Sequence, residues 1–285
     1  MEQEGTEFSN FNVPAKDEEG NDIFLDTKIQ KAGDVNYDPS TKSLKFNESS
    51  DNKLGEGGYL KLSPEDSGKN MDFSNGFTFE FYGKLSRLGY INSSGSDELL
   101  GLFCKISRIG PNNPVNAAYS MRFGFMGLSE GNTICKFYRN SSWNGQGNNL
   151  ITSSSGGILT NNPGYNVNEK FYLTFCYTVF DDEKNDEYQK QYYKENNEKI
   201  DRVEYYINGE LYGKTYYGTD SYIEGRNLWD SPNVPFFVGI GVSGWSSNVY
   251  YLKGEVYTTR LYVNPMTEEQ VKKSYDMTLR YRDTF

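Results

Sequence analysis

The stretch Leu252–Tyr281, LKGEVYTTRLYVNPMTEEQVKKSYDMTLRY, constrains the fold more than any other. It reads as one long strand, a stop and a capped helix. Apolar and polar residues alternate with the period of a strand, which predicts Val256, Thr258, Arg260 and Tyr262 on one face. Tyr257, Thr259, Leu261 and Val263 then fall on the other. Pro265 ends the run, because it has no N–H to give to a ladder. Thr267 is placed as an N-cap with Gln270 three residues on, the spacing of a capping box. Met266 and Val271 flank the cap as a hydrophobic staple. Glu268 and Glu269 occupy the first turn, where the helix dipole favours negative charge.

The rest of the chain carries the strand signal repeatedly. Gly76–Leu85, GFTFEFYGKL, alternates Phe77, Phe79 and Phe81 against Thr78, Glu80 and Tyr82, which predicts a half-buried strand. Leu44–Asn47, Gly58–Leu62, Leu99–Arg108, Ala118–Met126, Thr133–Arg139 and Pro235–Val242 read as further strands. Lys170–Phe180 is the most apolar and is expected near the centre of a sheet. Asn208-Gly209 between two such runs is the signature of a type I′ hairpin. Asp181–Asp201 reads as an insertion with a surface helix, from the i,i+4 pairs Tyr188/Tyr192 and Glu195/Lys199. With 24 Tyr and 18 Phe against 36% hydrophobic residues overall, aromatics take much of the core-forming role. Tyr, Phe, Thr and Val suit strands, and Gly and Asn suit the turns between them. The fold class is therefore all-β: a two-sheet antiparallel sandwich with a short C-terminal helix. No internal repeat or second core is evident, so 36–285 is expected as one domain. Residues 1–35, charged and poorly periodic apart from a short strand at Asp22–Asp26, are expected as an N-terminal arm.

The closing element resembles the final strand and helix of laminin-G-like and concanavalin-A-like jelly rolls. The residues that carry the resemblance are Gly254, Val256, Arg260, Leu261, Tyr262, Asn264, Thr267, Glu268 and Glu269. That family often has acidic residues before the Arg, where this chain has Thr258 and Thr259. GFTFEFYGKL, KFYLTFCYT, VEYYINGELYG and FFVGIG resemble the family's earlier strands in the same order. The resemblance implies a jelly roll over roughly Leu44 to Tyr281. It also implies one of three activities, sugar binding, glycan hydrolysis or protein-binding adhesion.

Composition removes several chemistries. The chain has no histidine, which excludes Ser-His-Asp and Cys-His catalysis and the usual His-containing zinc sites. Its net charge is −10 with no cluster of Lys and Arg, which argues against nucleic acid and anionic membrane surfaces as partners. No apolar run approaches the ~20 residues of a membrane-spanning helix. The first residues lack the pattern of a secretory leader. The expectation is a mature exported segment or a protein needing no such signal, at an extracellular, cell-surface or virion location. Cys104, Cys135 and Cys176 each lie in an apolar strand and read as three buried thiols; one disulfide with a spare thiol is the alternative.

The hydrolase branch of the resembled family requires a Glu-x-Asp-x-x-Glu strand, and none is present. Glu80 and Glu204 each stand alone and read as solvent-facing strand residues, so no catalytic residue is assigned. A hydrolase with an unrecognised carboxylate pair is the second alternative. Sugar binding needs flat aromatic faces with amide or carboxylate companions. A loop Trp either packs beneath its loop or meets a ligand. Trp143 in NSSWNGQGNN is the foremost candidate, with Asn144, Gln146, Asn148 and Asn149 beside it; Trp229 and Trp245 are the others. Calcium is the ion that the resemblance implies. It would need a cluster of oxygens, for which Asp220, Glu224 and Asp230 are the candidates. Asp181, Asp182 and Asp186 read instead as a solvated acidic face. The sequons at Asn47, Asn92 and Asn140 are of a kind that arises by chance in an Asn- and Ser-rich chain. The expectation is a non-catalytic module that binds a glycan or surface receptor through its loops. The first alternative is a structural component of a virion or cell-surface assembly, docked to a neighbouring protein through the N-terminal arm.

Overall fold

The computed structural model describes residues 8–16, 22–48, 57–64, 76–86, 90–91, 97–106, 119–127, 133–139, 158–160, 164–218, 236–242, 249–262 and 264–283. In chain order these form β1 (Phe8–Lys16), β2 (Asp22–Ala32), β3 (Val35–Asp38), β4 (Ser43–Phe46), β5 (Tyr59–Pro64), β6 (Gly76–Leu85) and β7 (Tyr90–Ile91). Next come β8 (Asp97–Ile106), β9 (Tyr119–Gly127), β10 (Thr133–Arg139), β11 (Ile158–Thr160), β12 (Lys170–Thr178), α1 (Glu187–Asn196), β13 (Ile200–Ile207) and β14 (Glu210–Gly218). The chain closes through β15 (Phe236–Val238), β16 (Ile240–Val242), β17 (Val249–Tyr251), β18 (Gly254–Tyr262) and α2 (Glu268–Asp283).

The strands make two antiparallel sheets packed face to face. The larger runs β1-β2-β5-β15-β8-β9-β10-β11, with β7 beside β8; the smaller runs β14-β13-β12-β6-β18-β4-β3. β16 and β17 form a separate pair. This is the two-sheet antiparallel sandwich with a C-terminal helix that the sequence predicts. β12 lies inside the smaller sheet, between β13 and β6. Residues 1–35, read as an arm, contribute more than a tail. β1 pairs with β2, and β2 pairs with β5 in the register Ile29↔Leu62, so both extend one edge of the larger sheet.

The core between the sheets is aromatic. Phe77, Phe79 and Phe81 point inward from β6 at the strand period, and all three are fully buried. Phe103 from the larger sheet lies 4.7 Å from Phe79 and meets Phe77 edge-on at 5.8 Å. Phe236 stacks on Phe103 at 5.2 Å, and Tyr165 stacks on Phe171 at 3.8 Å. Each such pair adds about 0.5–1.5 kcal/mol beyond the area it buries.

The other face of β6 departs from expectation. Thr78 and Glu80 are buried as deeply as the phenylalanines, because α2 lies across that side of the smaller sheet, and Tyr82 is buried against Tyr172 and Tyr257. Val271 packs with Cys176 and Tyr206, and Met266 leans on the same cluster. Tyr275 contacts Tyr172 at 5.5 Å, and Arg260 reaches Thr278 at 2.8 Å. The cap of α2 has the predicted chemistry: Gln270 N donates to Thr267 Oγ1 at 3.3 Å, and Thr267 N donates to Gln270 Oε1 at 2.8 Å.

β18 also departs from simple alternation. Its register against β6 shifts between Val256 and Thr258. This bulge inverts the phase, so Val256 and Leu261 both reach the core although their parity differs. Arg260 and Tyr262 face α2 instead. At the β13–β14 hairpin, Asn208 and Gly209 have φ of 53° and 80°, as a type I′ turn requires. A Cβ on Gly209 would stand 2.9 Å from the Tyr275 ring, so the turn also docks closely on α2. Asn47, the first residue of one sequon, is fully buried. It donates to the carbonyls of Gly58 and Leu252, tying three segments together.

Candidate functional site

Two polar networks are built on the outer face of the smaller sheet. The first forms where β6, β12 and β18 lie side by side. Register sets Arg260 opposite Glu80. Arg260 Nη1 donates to Glu80 Oε2 at 3.1 Å, to Tyr172 Oη at 3.3 Å and to Thr278 Oγ1. Tyr262 donates its hydroxyl to the same Glu80 oxygen at 3.1 Å. Glu80 Oε1 has no partner among the described residues. Burial pushes the Tyr172 and Tyr262 phenols well above the ordinary tyrosine range, and the Glu80 charge adds to that. Glu80 is therefore not the solvent-facing residue its solitary position suggests. It is a buried carboxylate neutralised by Arg260 and roofed by α2.

The second network joins β13, β14 and α1. A bulge between Tyr205 and Tyr206 sets Lys214 opposite Glu204 and Tyr216 opposite Arg202. Glu204 is also buried, against expectation. Lys214 Nζ lies 3.1 Å from its Oε1 and Arg202 Nε 3.3 Å from its Oε2. Arg202 and Lys214 extend to Asp186 at 3.6 and 3.2 Å. Asp186 caps α1, accepting from Gln189 N at 3.0 Å and from the Tyr216 hydroxyl at 2.8 Å. Partial burial works against the Asp186 carboxylate, but the Gln189 amide, Tyr216 and Lys214 hold it below its usual range. Above the cap, the Tyr188 ring lies 4.4 Å from Tyr216 and 6.2 Å from Tyr192.

These arrangements fix what the carboxylates can do. Along the sheet, Glu80 and Glu204 are separated by two strand spacings and two residues, about 12 Å between Cα positions. Asp181 accepts from Glu183 N at 2.8 Å and Asp186 is a helix cap, so two of the three aspartates of that acidic segment serve local turns. No group of three or more metal-ligating side chains occurs among the described residues. Cys104 and Cys176 are both buried, and burial pushes the Cys176 thiol up to about 12, where it stays protonated. The side chain of Cys135 lies outside the described residues. So do Trp143, Asn144, Gln146, Asn148, Asn149, Trp229 and Trp245, and the candidate calcium ligands Asp220, Glu224 and Asp230. Among the described residues no helix is long and apolar enough to cross a membrane.

The sequence missed the Tyr188–Tyr216 contact. The i,i+4 spacing gives Tyr188 and Tyr192, but Tyr216 joins them only through the bulged hairpin register.

No protein-family model and no curated protein matches the chain. Among solved structures, the chain is similar to botulinum neurotoxin type C, whose cell entry is described as dependent upon interaction with two ganglioside molecules (TM-score 0.48, 10% identity, 93% of this chain and 50% of that one). It is similar to the binding domain of botulinum neurotoxin DC in complex with rat synaptotagmin II (TM-score 0.47, 10% identity, 93% and 51%). The same binding domain in complex with SialylT gives a TM-score of 0.46 at 10% identity, over 93% and 50%. The chain thus spans about half the length of the structures it matches.

Proposed function

We propose that this chain is a non-catalytic recognition module of the jelly-roll type, which binds a glycan or a surface receptor through its loops. One observation carries the reading. The two strand carboxylates that could have served as acid and nucleophile are both buried, Glu80 held by Arg260 and Glu204 by Arg202 and Lys214. A sandwich whose strand carboxylates are spent on structure leaves chemistry to its loops. Trp143 is the proposed stacking surface, with Asn144 and Gln146 as hydrogen-bonding companions and Trp229 and Trp245 as further contacts. Asp220, Glu224 and Asp230 are the proposed calcium ligands. The location that follows is extracellular, at a cell surface or on a virion.

The test is glycan-array binding by the intact chain, in calcium and again in chelator, with Trp143→Ala beside the native protein. The reading expects a selective signal that Trp143→Ala abolishes. Loss in chelator assigns calcium to the site, and survival in chelator removes the ion from the proposal. Silence in both buffers, or a profile unchanged by Trp143→Ala, overturns the loop site.

A further inference from the structure

We propose that the α1–β14 face is a second recognition surface, one that takes an arginine or lysine side chain from a basic segment of a protein partner. Tyr188 is 52% exposed at the first turn of α1, with its ring 4.4 Å from Tyr216 and 6.2 Å from Tyr192. Three rings thus form one continuous surface, and its most exposed member is a large aromatic side chain. Two of the rings are fixed by their hydroxyls. Tyr216 donates to Asp186 at 2.8 Å, and Tyr192 donates to Glu198 at 3.1 Å. A phenol that donates to a carboxylate gains electron density, which deepens the negative potential over its ring face. That face is what attracts a cation.

The surrounding charge points the same way. Asp181–Asp201 holds eight acidic residues against four lysines. Lys190 and Lys184 pair with Glu187 and Asp181 of the same segment, at 3.1 and 3.8 Å. Arg202 and Lys214 are bound to Glu204 and Asp186. Lys184, Lys190, Arg202 and Lys214 are thus held by carboxylates, while Asp182 and Glu183 are exposed. A negative field beside preorganised rings is complementary to a guanidinium or ammonium group. A sugar would be served less well here. The amide nearest the cap, Gln189, is buried, donating to the Ile200 carbonyl at 2.7 Å and accepting from Arg202 at 3.0 Å.

The probe is a fluorescein-labelled Arg-Gly repeat peptide, titrated with the intact chain by anisotropy. A same-length peptide with citrulline in place of arginine is the neutral comparison. The expected result is binding of the arginine peptide, and a roughly tenfold loss for Tyr188→Ala. Tyr188→Phe retains affinity, because the ring face suffices. Tyr37→Ala, which removes an equally exposed tyrosine from β3, changes nothing. Circular dichroism confirms that each variant is folded. Absence of binding, equal binding of the citrulline peptide, or a Tyr188→Ala protein that binds as the native one does would each overturn the proposal. A glycan-array signal lost in Tyr188→Ala would overturn it in favour of sugar recognition on this face. The Trp143 site is separable, since Trp143→Ala leaves peptide affinity unchanged.

Discussion

α1 and α2 begin with the same chemistry. Asp186 and Gln189 close one capping box, and Thr267 and Gln270 close the other. Each helix lies against a network in which a buried glutamate is held by cations. They differ in what they bury. α2 sends Val271 and Thr278 into the sheet face, at 0% and 2% exposure, and shields Glu80 completely. α1 buries Gln189 alone of its ten residues and leaves Tyr188 outside. A capping signal therefore fixes where a helix starts, while its role comes from the side chains that face the sheet. α2 serves as a roof and α1 as a display.

The largest test of that contrast is Arg260→Met. It leaves the buried Glu80 carboxyl without its cation, which costs about 3–5 kcal/mol. Adding Glu80→Gln should restore most of the loss. Urea denaturation of the single and double variants checks both statements. Val271→Ala should cost about 2 kcal/mol by the same measurement, since it opens a gap between α2 and Cys176. Removing the caps separates the helices next. Thr267→Ala should cost about 1 kcal/mol. Asp186→Ala should cost more, because Asp186 also holds Lys214 and Tyr216.

Acid should distinguish the helices too. The Asp186 carboxyl is depressed in the fold, so its contribution is complete above the unfolded value of about 3.9 and fades as pH falls below that. Hydrogen exchange below about pH 4 should thus show α1 opening while the Thr267 cap, which carries no charge, persists. The smallest effect is expected for Tyr188→Ala, within about 0.5 kcal/mol of native stability. A large loss there would mean that α1 is a roof as well.

Much of the architecture was legible in the sequence because it is local. The Phe77-Phe79-Phe81 alternation, the Asn208-Gly209 turn and the Thr267 cap each act within a few residues. What was not legible depends on pairing across the sheet. Alternation marks Glu80 as the polar side of a half-buried strand, and only α2 turns that side inward. An unbroken two-residue hairpin would set Gly213 opposite Glu204; one extra residue sets Lys214 there instead. The bulge in β18 likewise hides from a period-two reading. Residues 1–35 appeared as an arm because their charge masked β2, which pairs with β5, and β1, which pairs with β2. The Trp143, Trp229 and Trp245 loops remain proposals that rest on residue type.

The pairing of the smaller sheet also sets an order in time. Among the described residues β3 pairs only with β4, and β4 joins the rest of the sheet only through β18, in the register Phe46↔Gly254. Asn47 donates to Leu252 across 205 residues of sequence. The β3–β4 pair must therefore wait for β18, about 200 residues later in the chain, before it joins the rest of the smaller sheet. Contacts this distant slow folding, because the entropy of closing so long a loop is lost before they form. On a ribosome the β3–β4 pair would emerge well before β18 and stay apart from β18 until it appeared.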